Sequence, residues 1–300
     1  MIVITGATGN TGKSAVEALL ESGEQLRVIG RGASKLEPFA RRGAEAVVAD
    51  VQDAAALTTA FHGATAAYLV IPQALHLENF REYQECVSNA YAAAVAAARV
   101  TYAVTLSSIG AQHASDTGPI VGLHNMEEKL DKVPGLNVLH LRAGYFMENL
   151  LMNIGTIRSM GMLAGGSPGD SRMPMIAAKD VGRYAAGRLR TRDFSGNSTQ
   201  ELLGPRDVSM KEVAGIIGPA IGRPNLHYAH VPFLVLEPAL VSMGMPKKSA
   251  DLLVEMWKAG NNGLVAPQEP RSASNTTPTS IEQFIAEVFA PAYNAKTTAA

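Results

Sequence analysis

Apolar residues in this chain fall into short continuous runs separated by longer stretches in which they recur every three or four positions. Runs rich in branched side chains occupy residues 2–5, 25–29, 46–49, 66–71, 102–106 and 137–141 and are apolar on both faces, as strands covered by helices on each side must be. Residues 13–21, 34–42, 54–61, 77–99 and 120–132 between them have helical composition. Strand and helix alternating in this way predict an α/β fold, a doubly wound parallel sheet of the Rossmann type with crossover helices. The rhythm breaks after Arg142. A glycine-rich stretch over 161–169 (GMLAGGSPG) precedes irregularly spaced helices at 179–190, 209–221, 233–243, 249–258 and 280–289. The expected division is a larger domain over 1–150 and a smaller α/β lobe over 151–300. Thr279 and Ser280, with Glu282 and Gln283, supply capping groups for the last helix, and residues 294–300 read as a frayed tail.

Composition narrows the function classes. The 300 residues carry 26 basic and 27 acidic side chains, so there is no cationic excess of the kind that non-specific nucleic-acid binding needs. The single cysteine, Cys86, excludes an internal disulfide, reads as a small packed residue on a helix, and fits a cytoplasmic setting. The weakly polar stretch over 89–100 is too short to span a bilayer, so no membrane association is expected. His227 and His230 stand three apart with no further His or Cys pattern to support a metal site.

The strongest motif is Thr5-Gly6-Ala7-Thr8-Gly9-Asn10-Thr11-Gly12, directly after the first strand and before the first helix. Glycines at 6, 9 and 12 let the backbone approach a pyrophosphate, and the following helix turns its free N–H groups toward the anion. Gly6, Thr8, Gly9, Asn10, Thr11 and Gly12 are therefore candidate cofactor residues. At the tip of the second strand, where NAD-preferring folds place an acid against the ribose 2′-hydroxyl, the chain reads Gly30-Arg31-Gly32-Ala33-Ser34-Lys35. Arg31 can fork onto a 2′-phosphate and Lys35 can add a second charge, which favours NADP(H) over NAD(H); the alternative is a merely solvated arginine. Asp50 and Val51 end the third strand, where the edge of an adenine is expected, although an acid capping the next helix would look the same. Val70, Ile71 and Pro72 at the end of the fourth strand either line the cofactor cleft or form a buried strand end. Ser107 and Ser108 follow the fifth strand at the carboxyl edge of the sheet, in reach of a nicotinamide ribose or a substrate.

These residues, with Val48-Ala49-Asp50-Val51, Leu141-Arg142-Ala143-Gly144-Tyr145-Phe146-Met147-Glu148-Asn149, Ala177-Ala178-Lys179-Asp180-Val181 and Thr276-Thr277-Pro278-Thr279-Ser280, make the chain resemble the NmrA-like family of atypical short-chain dehydrogenase/reductases along its whole length. The resemblance implies a Rossmann domain and a small lobe with a substrate cleft between them. It also implies one of two activities. The family includes NADPH-dependent reductases of quinones and dyes, and it includes non-catalytic redox sensors that act through a protein partner.

Typical short-chain dehydrogenases carry Tyr-x-x-x-Lys after the fifth strand, the lysine depressing the tyrosine pKa for proton exchange. None of the eight tyrosines here has a lysine four residues on. The corresponding segment offers His124 and Glu128, four apart on one helical face, which look like the His-x-x-x-Glu of several NmrA-like reductases. An imidazole exchanges protons near neutral pH without a lysine's help. His124 either orients an acceptor, with Glu128 steadying it, or lies on the helix surface without function. Tyr145, with Phe146, Met147 and Asn149, is placed by the resemblance beside the nicotinamide and the substrate mouth, though such side chains equally suit an interdomain core. A conjugated acceptor such as a quinone, azo compound or dye fits these residues better than a simple ketone. The expected partner is this small-molecule acceptor, with no nucleic acid and with a homodimer possible through exposed helices such as 77–99.

Overall fold

The runs of branched residues assemble into one parallel sheet in a computed structural model that describes residues 1–295. The first half alternates as β1 (Ile2–Ile4), α1 (Asn10–Glu21), β2 (Leu26–Gly30), α2 (Ala33–Ala40), β3 (Glu45–Val48), α3 (Ala54–Phe61), β4 (Ala66–Leu69), α4 (Phe80–Ala98), β5 (Tyr102–Ser108), α5 (Ile120–Leu130) and β6 (Asn137–Ala143). Alternate residues along each strand face opposite helical layers. Val3, Ile29, Leu69, Ala103 and Val138 pack under α3, α4 and α5, and Ile4, Val28, Tyr68, Val104 and Leu139 pack under the layer that contains α1 and α2.

The second half continues as β7 (Tyr145–Phe146), a 3-10 turn (Met147–Asn153), α6 (Ile154–Met160), β8 (Met162–Gly165), β9 (Arg172–Ile176), α7 (Ala178–Thr191), β10 (Asn197–Leu202), β11 (Asp207–Ser209), α8 (Met210–Ala220), β12 (His227–His230), α9 (Phe233–Ser242), α10 (Lys247–Asn261), α11 (Ile281–Phe284), a π turn (Ile285–Phe289) and α12 (Ala290–Asn294). The main sheet has the order β10-β6-β5-β4-β1-β2-β3, with every pairing parallel. Strand order reverses between β1 and β4, and the crevice beyond their carboxyl ends is where such sheets bind ligands. Smaller sheets β11-β9-β7 and β12-β8 build the second lobe.

Two elements cross the division expected near residue 150. The helix read at 179–190 is α7, and it packs on α1 rather than in the second lobe. The contact is so close that a Cβ on Gly182 would lie 2.2 Å from the Thr11 carbonyl oxygen, and the Ser14 hydroxyl donates to the Lys179 carbonyl at 2.7 Å. β10, which the sequence did not suggest, then joins the sheet beside β6, from Asn197 opposite Val138 to Leu202 opposite Ala143. Helix α1 starts at Asn10 instead of residue 13 because Gly9 is its N-cap, so the glycine motif itself forms the first turn. At the C-terminus, Asn294 closes α12 and Arg158 donates to the Tyr293 and Ala295 carbonyls, so this part of the expected tail is folded; residues 296–300 lie outside the described residues. Among the described residues, no helix is long and apolar enough to cross a membrane, and no group of three His, Cys, Asp or Glu side chains is arranged to hold a metal.

Candidate active site

The glycine loop is held from below by a buried hydroxyl network. The Thr5 hydroxyl donates to the Tyr68 carbonyl at 3.0 Å and accepts the Val70 N–H at 2.9 Å. The Tyr91 hydroxyl donates to the Val70 carbonyl at 2.7 Å and lies 3.1 Å from Thr5 Oγ1. These bonds fix the ends of β1 and β4 on either side of the crevice. Gly6 turns at φ +60° and accepts the Gly9 N–H at 2.9 Å, a conformation that favours glycine. A Cβ on Gly12 would sit 2.1 Å from the Gly6 carbonyl oxygen, so only glycine lets the helix come this close to the loop. No side chain caps α1. Thr8, Gly9 and Asn10 are exposed, and Thr11 is buried. An uncapped helix N-terminus under a glycine cradle fits a pyrophosphate.

The tip of β2 presents two cations that have no ion-pair partner among the described residues. Arg27, inside the strand, is paired with Glu45 at 2.8 Å. Arg31 and Lys35 are exposed and make no ion pair among the described residues. Asp50 accepts the Gln52 N–H at 2.9 Å in a local turn, and the N-cap of α3 is Asp53, which accepts from Ala55 and Ala56 at 3.0 Å each. The helix-cap alternative for Asp50 therefore does not apply. Val51 is buried. Sequence reading missed Tyr83 at this corner. Its phenol is pushed up to about 12, chiefly by burial, and feels Arg31, Asp50 and Cys86. Tyr83 and Cys86 line an open cavity of about 390 Å³ with Gln52, Leu77 and Asn79. Cys86 is thus exposed rather than packed, because its side of α4 faces away from the sheet.

At the carboxyl end of β5 the structure separates residues that the sequence grouped. His124 Nδ1 lies 2.8 Å from the Ala111 carbonyl oxygen, an acceptor that assigns the proton to Nδ1 and leaves Nε2 without a partner among the described residues. Glu128 is exposed and bonds Lys132 at 3.1 Å, one turn further on, not His124. Lys129, one position out of register, is paired with Glu85 of α4. Ser107 belongs to β5 and is buried, and its hydroxyl donates to Glu127 Oε1 at 2.5 Å. It therefore faces a carboxylate rather than the cleft. Ser108 is the half-buried serine, bonded to the Ile109 carbonyl at 2.9 Å. Val70 and Pro72 are half-buried beside the glycine loop and Ile71 is buried.

Glu127 was not singled out by sequence reading. Arg142 donates to both its oxygens, at 3.1 and 2.6 Å, so a nearly dry Ser107–Glu127–Arg142 cluster joins α5 to β5 and β6. A second acidic node lies behind Tyr145. Glu148 accepts the Ala178 N–H at 3.0 and 3.1 Å at the start of α7, and burial raises its carboxyl above the ordinary range. Asp180, one turn into α7, accepts from Thr279 N and Oγ1 at 2.9 Å each. The three late motifs, LRAGYFMEN, AAKDV and TTPTS, thus meet at one junction between the sheet and the lobe. Tyr145 is half-buried, and its phenol is pushed up to about 12 by burial, with Asn149 drawing it the other way. It stays protonated at neutral pH and cannot act as the depressed tyrosine of a Tyr-x-x-x-Lys pair.

A sequence model of the NmrA-like family matches residues 1–298. The chain belongs to the NmrA-like family. It is 28% identical over 260 residues to an NAD(P)H azoreductase of Xenophilus azovorans, covering 86% of each chain. It superposes on a crystal structure of an NADPH-dependent quinone oxidoreductase of Escherichia coli complexed with NADPH at a TM-score of 0.78 and 25% identity, covering 96% of this chain and all 100% of that one. A triphenylmethane reductase of Citrobacter sp. complexed with NADP(H) shares the fold at a TM-score of 0.79 and 18% identity, with coverage of 95% and 99%. The NmrA-like fold accounts for the parallel sheet and the lobe alike.

Proposed function

We propose that this NmrA-like chain is an NADPH-dependent reductase of flat conjugated acceptors such as quinones, azo compounds or dyes. The observation that carries the reading is the pairing of an uncapped glycine-loop helix with an unneutralised Arg31 at the tip of β2. Gly6, Gly9 and the first turn of α1 would hold the pyrophosphate, Arg31 and Lys35 the 2′-phosphate, and Val70, Pro72 and Ser108 the nicotinamide end. The bound cofactor supplies the hydride. The relatives named for azo and quinone reduction support the acceptor class.

The chain's own groups suit an acceptor whose product charge is delocalised. Tyr145 can donate a hydrogen bond to an acceptor while keeping its proton, since burial pushes its phenol up to about 12. His124 donates its Nδ1 proton to the Ala111 carbonyl, and Nε2, once it takes a proton from solvent, can donate to an oxygen or nitrogen of the acceptor, orienting it or passing the proton on. Glu128 takes no part. His124→Ala is expected to lower kcat/KM by about 100-fold or more if Nε2 transfers a proton, and by less if it only orients the acceptor. NADPH affinity should stay unchanged. Wild-type turnover in the variant would remove His124 from the site.

Arg31→Ala tests the cofactor half. Loss of a charge-assisted contact costs about 1.5 to 3 kcal/mol, so calorimetric titration should show NADPH binding weakened at least tenfold, by about 1.4 kcal/mol per tenfold, with NADH binding unchanged. Equal affinity of the unmodified protein for both cofactors would contradict the NADPH preference.

A further inference from the structure

Helix α9 is built unlike the rest of the molecule. Its sequence, Phe-Leu-Val-Leu-Glu-Pro-Ala-Leu-Val-Ser, is apolar nearly all round, yet none of its residues is buried. Helices of that composition are normally enclosed by protein. Leu234 is 88% exposed and Val235 58%, and Met243, just beyond the helix, is 79% exposed. The segment is bounded by Pro232 and by Gly244, which sits at φ +93°. It packs on α10, with an ion pair from Glu237 to Lys247 at 3.2 Å and Lys258 Nζ 5.8 Å from the Phe233 ring centre.

The inner side of α9 lies on the glycine strap. A Cβ on Gly166 would come 2.7 Å from Phe233 Cε1, 3.0 Å from Leu236 Cδ2 and 3.2 Å from Trp257 Cδ2. The strap is anchored on its other flanks, by Asn261 donating to the Gly166 carbonyl at 3.0 Å and by Tyr228 donating to the Ser167 carbonyl at 2.7 Å. Tyr228 is also the electrostatic neighbour of Tyr145. On another side, α10 abuts the loop before α5, where Gly118 donates to Glu255 at 3.1 Å, and Val265 beyond α10 packs on Gly110. Trp257 therefore sits on a helix that reaches the loop holding His124, and the strap under Phe233 and Trp257 is tied on its other flank to Tyr228 of the lobe.

We propose that α9 is the movable cover of the acceptor site, and that a flat aromatic acceptor is held between the Gly166 strap and the rings of Phe233 and Trp257. The proposal rests on the reductase reading for the class of acceptor. Physically, where the rings face the strap they meet a residue with no side chain, Gly166, so a planar molecule can take the place of that contact without displacing a side chain. Because no residue of α9 is buried, displacing it uncovers less apolar surface than displacing a core helix would. Edge or face contact with two aromatic rings then favours conjugated over aliphatic acceptors.

The test uses the full chain loaded with NADP⁺, which cannot donate hydride, and 1,4-naphthoquinone or methyl red as probe. Trp257 is the only tryptophan, so its emission reports on the site directly. Saturating probe is expected to change Trp257 emission and to slow amide hydrogen exchange over residues 233–243. Phe233→Ala should raise KM for both probes about tenfold, the loss of one ring contact plus its burial, and Trp257→Phe should keep most of the affinity while abolishing the emission signal. Unchanged exchange over 233–243 together with an unchanged KM in Phe233→Ala would overturn the proposal. If NADPH is never oxidised but the NADP⁺-loaded chain still shows the emission and exchange changes, the reductase reading fails and the α9 site stands. If NADPH is oxidised and both changes are missing, the reverse holds.

Discussion

Glu127→Ala is expected to lower the stability of the chain by about 3 to 5 kcal/mol, the usual cost of removing one member of a buried charge pair. The side chains of Glu127 and Arg142 are only 6% and 12% exposed. Arg142 spends both of its recorded hydrogen bonds on this carboxylate, and Ser107 adds a third at 2.5 Å. Without it, a guanidinium and a hydroxyl are left in a site that water barely reaches. Urea denaturation of wild type and variant measures the difference. Replacing the pair together, as Glu127→Leu with Arg142→Met, should recover most of the loss, because well-packed apolar residues often substitute for a buried ion pair at little cost. A midpoint shift worth less than about 1 kcal/mol for Glu127→Ala, the range of a surface pair, would show that water reaches the cluster.

Gly12→Ala is expected to weaken NADPH binding by about 100-fold or more, since displacing a binding element by about 1 Å carries a penalty of that order. The new Cβ would lie 2.1 Å from the Gly6 carbonyl oxygen and 2.7 Å from its carbon, so either the loop or α1 must move. α1 cannot retreat freely, because α7 packs behind it with Gly182 against Thr11 and with the Ser14 bond to Lys179. The strain therefore falls on the loop, where the pyrophosphate is held. Titration calorimetry with NADPH tests this, and wild-type affinity would mean that the loop is not the cofactor cradle.

The glycine loop was legible in the sequence because its chemistry is local. Three glycines between an apolar strand and a helix leave few other uses for such a turn, and Arg31 follows the second strand by position alone. The alternating elements of the first half were legible for the same reason. What was not legible depended on distant partners. β10 reads Asn-Ser-Thr-Gln-Glu-Leu because an edge strand is solvated along much of its length, so it lacks the apolar run that marks β1 or β4. α7 carried a clear helical pattern, but only Gly182, whose missing side chain admits Thr11, showed which helix it packs on. Glu127 sits in Asn-Met-Glu-Glu-Lys, which looks like a solvated face. The usable signal was Arg142 near the end of a largely buried strand, since a buried arginine requires an acid. His124 and Glu128 do lie four apart on one helix, yet the carboxylate finds Lys132 in solvent while the imidazole turns to the Ala111 carbonyl.

If Arg31 and the glycine loop bring NADPH to a conjugated acceptor for hydride transfer, NADPH absorbance should fall when the purified chain is offered quinones, azo dyes and triphenylmethane dyes, each with NADPH and with NADH. The expected result is acceptor-dependent oxidation of NADPH, faster than that of NADH at equal concentration. Tight NADPH binding with no oxidation by any acceptor would contradict it and would make the chain a cofactor sensor instead.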